Sequence, residues 1–250
     1  MTDQQVELTV LGCGDAFGSG GRCNTSFYVA GSKCTFLIDC GATTLVALKR
    51  EGLSPAAIDV VFISHFHGDH YPGLAFLLLD LMINHKREKK LQIVSPPGCK
   101  ILLIKLLDIL YPGTTADIMQ KLPLEFISFE GHQELQLQHL RLQSFPVKHS
   151  EPARSHGLRI TCDGKVISYS GDTEWTPALE GLAKGADLFI CDGNYYDVKG
   201  KGHLSYQEIM IKKDRLGAKN ILLTHLGEDA LRNLHHIALP AAFDGLKIGL

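Results

Sequence analysis

Four residues able to bind metal fall within one short stretch, Ser64-His65-Phe66-His67-Gly68-Asp69-His70. Neutral imidazole suits zinc, iron and related ions, and a carboxylate extends the choice to manganese. His65 and His67, two apart, can point the same way off an extended segment, while Asp69 and His70 turn towards a neighbouring position. The elements on either side supply the geometry this chemistry needs. Residues 59–63 are short, apolar and β-branched and read as a buried strand. Residues 72–84 read as a helix with few polar positions. A strand-to-helix turn lets side chains converge on one point, and this favours a metal site over a loop of solvated, inert histidines.

Further polar residues sit just past apolar runs, where a side chain leaves the core. His149 follows a strand at 140–147, Asp172 follows 165–170, and His225 follows 220–223. Each alone is more often an ordinary polar residue at a strand end. Asp39 closes a strand at 35–39 ahead of a helix at 43–51, where capping is its bland role. Asp192 ends a strand at 187–191, and His203 follows in Gly200-Lys201-Gly202-His203-Leu204-Ser205. Ser205 can cap the helix at 205–216 whatever His203 does. His156 lies near the site in sequence and is a minor candidate for touching substrate. His85, His132, His139, His235 and His236 fall in helix ends, loops or exposed strand positions.

The His-x-His-x-Asp-His run resembles the motif of the metallo-β-lactamase superfamily. The glycine-rich opening at residues 12–21, followed by Arg22, Thr25 and Ser26, is similar to its ribonuclease Z and cyclic phosphodiesterase branch. That resemblance implies an α/β fold, the αβ/βα four-layer sandwich. It implies two divalent metal ions, zinc with manganese or iron as alternatives. His65, His67 and His149 would hold the first; Asp69, His70 and His225 the second; Asp172 would bridge both. Asp39 would lie beneath the centre and orient a ligand histidine. Asp192 and His203 would pair near the leaving group, although ribonuclease Z usually has Glu at the first position. Two such ions ~3.5–4 Å apart lower the pKa of a shared water and neutralise charge in the transition state. Asp69, besides binding metal, would orient the attacking oxygen. Several true β-lactamases of the superfamily carry Cys where Asp172 stands, which argues against that activity.

The glycine-rich loop is not a P-loop, lacking the Lys-Ser/Thr ending. Its backbone N–H groups face an anion on one reading, and it is a plain turn on the other. The remaining pattern is strands at 6–11, 26–30, 91–95, 125–129, 134–137 and 157–162, with Asp163-Gly164 as a hairpin signal. Helices are expected at 99–110 and 175–184, and 112–121 reads as irregular or weakly helical. No linker interrupts the 250 residues, so one domain over 1–250 is expected.

A net charge of −2 gives no general attraction to nucleic acid or anionic membrane. The only basic cluster, residues 85–90, reads as a solvated helix end. No apolar run is long enough to span a bilayer, and residues 1–5 lack the regions of a signal peptide. Seven cysteines without a C-x-x-C pair fit a reducing cytosol. The helix at 72–84, apolar on nearly every side, must be covered by its own domain or by a second subunit, and a homodimer is expected. The interval between His149 and Asp172 is too short for the long arm by which ribonuclease Z grips tRNA. A small phosphodiester, such as a cyclic nucleotide or cyclic sugar phosphate, is therefore favoured over RNA. The competing classes are a ribonuclease Z-like endonuclease, a glyoxalase II-like thioesterase and a non-enzymatic metal-binding module.

Overall fold

A computed structural model describes residues 6–198 and 200–250; the 1–5 segment, read above for a signal peptide, lies outside them. The chain runs β1 (Glu7–Gly12), β2 (Ser26–Ala30), β3 (Thr35–Ile38), α1 (Thr44–Arg50), β4 (Val60–Phe62), α2 (Gly73–Ile83), β5 (Leu91–Ser95), α3 (Cys99–Leu110), α4 (Thr115–Lys121) and β6 (Leu124–Ser128). It continues through β7 (Gln133–Gln136), β8 (Leu140–Pro146), β9 (His156–Cys162), β10 (Lys165–Tyr169), α5 (Ala178–Ala183), β11 (Leu188–Asp192), α6 (Tyr206–Leu216), β12 (Ile221–Thr224), α7 (Glu228–Arg232) and β13 (Lys247–Gly249). Among these, one sheet has the order β13-β1-β2-β3-β4-β5-β6 and the other β12-β11-β10-β9-β8-β7.

Strand alternation builds the layers. On β3, Phe36 and Ile38 enter the core between the sheets, whereas Leu37 joins α1–α4 on the outer face. On β11, Leu188 and Ile190 face inward while Phe189 and Cys191 pack with α5 and α6. Both faces of each central strand are thus covered, which is why these strands read as continuous apolar runs. The result is a helix–sheet–sheet–helix sandwich. β3, β4, β5 and β6 run parallel in the first sheet, and β10, β11 and β12 in the second. β8 and β10 both pair antiparallel with β9, so they also share a direction.

Several local readings change. The expected helix at 175–184 starts only at Ala178, because Pro177 occupies its cap and the Thr176 hydroxyl accepts from Ala178 N at 3.0 Å. Residues 115–121 form a regular helix that buries Ile118 and carries an Asp117–Lys121 pair. α2 packs against α1, α3 and α4, burying Leu74, Ala75, Leu77, Leu78 and Leu81 and leaving Ile83 exposed. The basic cluster is not a free patch. Arg87 is buried and donates to Lys89 O at 2.6 Å, Ala56 O at 2.7 Å and Lys90 O at 2.8 Å. Lys89 pairs with Asp59, and Lys90 with Glu125 at 3.3 Å.

The last segment had no strand signal, yet it stitches the sheets together. β13 pairs with β1, Val10 N donates to Leu246 O at 2.8 Å, and Ala242 N donates to Leu223 O of β12 at 2.7 Å.

Candidate metal centre

Parallel strands end at one edge, and there the chain delivers its chemistry. Asp39 follows β3, His65 to His70 follow β4, His149 follows β8, Asp172 follows β10, Asp192 ends β11, and His225 follows β12. The structure brings His65, His67, His149 and Asp172 into one group and Asp69, His70, Asp172 and His225 into a second, with Asp172 common to both. In each group the donor atoms lie within 4.8 Å of one another.

Hydrogen bonds on the outer sides of the rings decide which atoms face inward. Asp39, completely buried, accepts from Ser64 N at 2.7 Å, Ser64 Oγ at 2.7 Å and His70 Nδ1 at 2.7 Å. Ser64 Oγ in turn accepts from His65 Nδ1 at 3.0 Å. His149 Nδ1 donates to Gly202 O at 2.7 Å. Each of these three imidazoles therefore presents a bare Nε2 to the centre. His65 Nε2 and His149 Nε2 converge on His67 Nδ1 at 3.2 and 3.0 Å. Tetrahedral bonds of ~2.0–2.1 Å to zinc would set nitrogens about 3.3–3.4 Å apart, close to this spacing. His70 Nε2 and Asp172 Oδ1 are buried without a hydrogen-bond partner. Orphaned polar atoms of this kind are rare in a finished core. The donor set and its orphaned atoms fit a pair of divalent ions.

Electrostatics agree with that fit. Burial, reinforced by His70, holds His65 well below the ordinary imidazole range, as a neutral ligand requires. Burial acts downward on His70 too, but Asp172, Asp69 and Asp39 outweigh it and push that ring well above its usual range. The position favours positive charge, whether a proton or a metal ion. Burial alone would raise the Asp172 and Asp69 carboxyls, yet the neighbouring histidines hold both below the usual carboxylate range.

His203 stands at the rim. Its ring stacks on His225 at 5.1 Å and meets His149 edge-on at 4.8 Å. His203 Nδ1 donates to Asp192 Oδ2 at 2.9 Å, and Asp192 is wholly buried. Burial acts to lower His203, but the Asp192 charge prevails and raises it to about 9. His203 adjoins the cluster without entering either ligand group that shares Asp172, and its pairing with Asp192 favours the charged ring. Ser205 also caps α6, accepting from Glu208 N at 3.2 Å, so the two roles coexist.

Other candidates take different places. Asp39 makes no cap contact to α1, whose cap position is Thr43. His156 is buried, donates from Nδ1 to Arg154 O at 2.7 Å and packs edge-on against Phe129 at 5.2 Å. It reaches a large cleft on the His149 side that Arg154 and Lys201 also line.

The glycine-rich loop does surround an anion, but one of its own. Asp15 accepts from Phe17 N at 3.1 Å, Ser19 N at 2.9 Å and Ser19 Oγ at 2.8 Å. Asp244 takes the N–H groups of Cys13 at 3.3 Å and Cys23 at 2.8 Å. A Cβ at Gly12 would lie 2.0 Å from Asn24 O, so glycine is required by close approach there. The loop touches the centre through Cys13 O, which accepts from His225 N at 3.0 Å.

Sequence reasoning missed Ser64, Asn194 and Tyr169. Asn194 Nδ2 donates to His225 O at 2.9 Å and fixes that turn. The Tyr169 hydroxyl is buried without a partner, and burial with Asp39 and Asp172 pushes it well above the usual phenol range. Ser64 was within reach, because it opens the histidine motif. Asn194 and Tyr169 carry no pattern that sets them apart from core or turn residues.

Comparison with known proteins agrees with this architecture. The chain is 24% identical to ribonuclease Z of Ignicoccus hospitalis, over 89% of this chain and 88% of that protein. The crystal structure of the metallo-β-lactamase fold protein YhfI from Bacillus subtilis superposes with a TM-score of 0.80 at 22% identity, covering 99% of this chain and 100% of that one. A diphosphatase from the PhnP family superposes with a TM-score of 0.74 at 20% identity, covering 97% of both chains. The fold is that of the metallo-β-lactamases. A family model described as anti-Pycsar protein Apyc1 matches residues 6–239. With its two sheets, its shared-aspartate cluster and that match over nearly its whole length, the chain belongs to the Apyc1 family of the metallo-β-lactamase fold.

Proposed function

We propose that the protein is a metal-dependent phosphodiesterase acting on a small phosphodiester, a cyclic nucleotide or cyclic sugar phosphate. The observation that carries this reading is the Asp192–His203 pair, a charged proton donor at the rim of a cluster suited to two divalent ions. Such ions, zinc being the expected pair, supply an activated water and neutralise phosphoryl charge. The chain's own residues do the rest. Asp172 and Asp69 present carboxylate oxygens to the centre, with Asp69 Oδ2 3.0 Å from His225 Nε2. Asp69 is placed to orient the attacking oxygen, and Asp39 and Gly202 O fix ring orientation. His203 donates its Nε2 proton to the leaving alkoxide, and the Asp192 carboxylate steadies the imidazolium beforehand.

The resemblance to ribonuclease Z supports an RNA endonuclease as the second reading. Between His149 and Asp172 the chain holds only a short turn at Glu151–Ala153 and the β9–β10 hairpin, which favours the small substrate. Turnover of bis(p-nitrophenyl) phosphate, S-lactoylglutathione and a precursor tRNA by metal-loaded protein separates the classes. Thioester cleavage without phosphodiester cleavage would refute the proposal, and preference for precursor tRNA would replace it with the second reading.

A further inference from the structure

The far end of the sandwich holds a cavity of about 450 Å³ that shares no residue with the metal centre. The parallel strands begin there. Cys34 precedes β3, Val60 opens β4, Leu137 follows β7 and Leu140 opens β8. From Val60 to His65 the chain advances five residues, which separates the cavity from that ligand by roughly 16 Å. Cys34, Val60, Leu137 and Leu140 are all buried in the core between the sheets, so the cavity has an apolar floor. Two braced turns hold its walls apart. On one side Gly31 N donates to Cys34 O at 3.0 Å, and Thr35 N donates to Asp59 Oδ2 at 3.0 Å. On the other, Leu137 N donates to Leu140 O at 2.8 Å, and Gln136 Nε2 donates to Leu137 O at 3.0 Å. Pre-formed cavities of about 300–1,000 Å³ with an apolar floor and a few polar groups are the usual form of a small-ligand site.

The rim decides the charge of the ligand. Lys33, Lys89, Lys90 and His139 stand around the mouth, and Asp59 is the only acid in the wall among the described residues. Asp59 pairs with Lys89, and Glu125, outside the wall, pairs with Lys90 at 3.3 Å. Lys33, exposed on its turn, is the one unpaired lysine of the rim among the described residues. Asp163 feels its charge from beyond contact distance and already accepts from Ser32 N at 2.6 Å. One spare ammonium matches a single negative charge, whereas a phosphate dianion would need a second. No Phe, Tyr or Trp lines the described wall, which leaves a nucleobase without a stacking partner. A hydrocarbon chain ending in one carboxylate satisfies both the floor and the rim.

The geometry points to a binding site for an aliphatic monocarboxylate, a medium-chain fatty acid, with its chain on Val60, Leu137 and Leu140 and its carboxylate on Lys33 and His139. The site is independent of the phosphodiesterase reading, because its ligand touches no metal-binding residue. Bound there, the chain would join the β2–β3 turn of one sheet to the β7–β8 turn of the other.

Calorimetric titration of the zinc-loaded, full-length protein with sodium decanoate, below its micelle concentration, should show one saturable site. Across hexanoate, octanoate and decanoate, each added methylene should tighten binding roughly fourfold. Decyltrimethylammonium, with the same chain and the opposite charge, should bind at least roughly tenfold more weakly than decanoate. Acetate, inorganic phosphate and adenosine monophosphate should fail to displace decanoate. Amide nitrogen shifts should move at Lys33, Cys34, Val60 and Leu140 and stay fixed at His65 and His149. Lys33→Glu, an exposed substitution that leaves the floor intact, should weaken decanoate at least roughly tenfold without changing metal content. Equal binding of decanoate by wild type and Lys33→Glu would overturn the site, as would shifts confined to the metal centre or displacement by phosphate. Equal affinity for the cationic amphiphile would overturn the carboxylate assignment.

Discussion

Replacing Asp39 by asparagine removes one charge from beneath the centre without changing the shape of the side chain. The backbone permits it: Asp39 has φ 59°, a left-handed conformation that asparagine tolerates better than most residues. The wild-type carboxylate accepts three hydrogen bonds of 2.7 Å, from Ser64 N, Ser64 Oγ and His70 Nδ1. An amide has only one acceptor atom, and Ser64 N is a fixed donor that must keep it. The NH2 group then faces His70 Nδ1 and Ser64 Oγ, so His70 has to release its Nδ1 proton and carry one on Nε2. That proton would point at the position where a metal must bind. Loss of such an orienting partner typically costs 10–100-fold in metal affinity, or about 1.4–2.7 kcal/mol. The weakened site should be the one formed by Asp69, His70, Asp172 and His225. Competition with a chelator, followed by elemental analysis, should show one ion retained and one lost first. Nitrogen chemical shifts of His70 in the metal-free protein should report the tautomer directly. Two ions held as tightly as in the wild type, with His70 still protonated at Nδ1, would refute the reasoning.

Four more outcomes follow from the structure. Asp172→Ala should release both ions more readily than His149→Ala in the chelator assay, because only Asp172 belongs to both groups. His203→Ala should leave metal content unchanged and lower kcat by roughly 10²–10⁴ for substrates with a poor leaving group, with a smaller loss for a nitrophenolate ester. Asp192 raises the His203 pKa, so Asp192→Asn should shift the alkaline limb of kcat/KM to lower pH, the protonated donor being lost earlier as pH rises; an unmoved limb would show that another group sets it. Arg87→Met orphans three carbonyls in a buried position and should cost roughly 3 kcal/mol in urea unfolding while sparing kcat.

What the sequence made legible was the chemistry held in short, dense patterns. The histidine motif and the apolar runs of both sheets follow from local spacing, whereas His149, Asp172 and His225 read there only as polar residues at strand ends and were grouped by the family resemblance. The Asp163-Gly164 hairpin was readable for the same reason, since both residues take positive φ. What stayed hidden depends on partners distant in sequence. Arg87 looks like one more surface charge until Ala56 O is seen 31 residues away. Asp15 takes the N–H groups of Phe17 and Ser19 in its own loop, and no composition argument separates that anion from a bound one. β13 is only three residues long, too short for a pattern to mark it, and is held extended by pairing with β1.

The stitched C-terminal segment has a consequence for how the molecule is made. His225 is tied through its backbone to Cys13, 212 residues earlier, and Cys13 is tied to Asp244. During synthesis the first histidines emerge long before the residues that lock the loop beside them. Contacts of such long range are slow to form and cannot begin until their later partner has left the ribosome. A nascent chain stopped short of Asp244 should therefore hold metal more weakly than the released protein. Loading of the cluster is therefore expected to follow chain release, and comparing the ion content of ribosome-bound and released chains would test it.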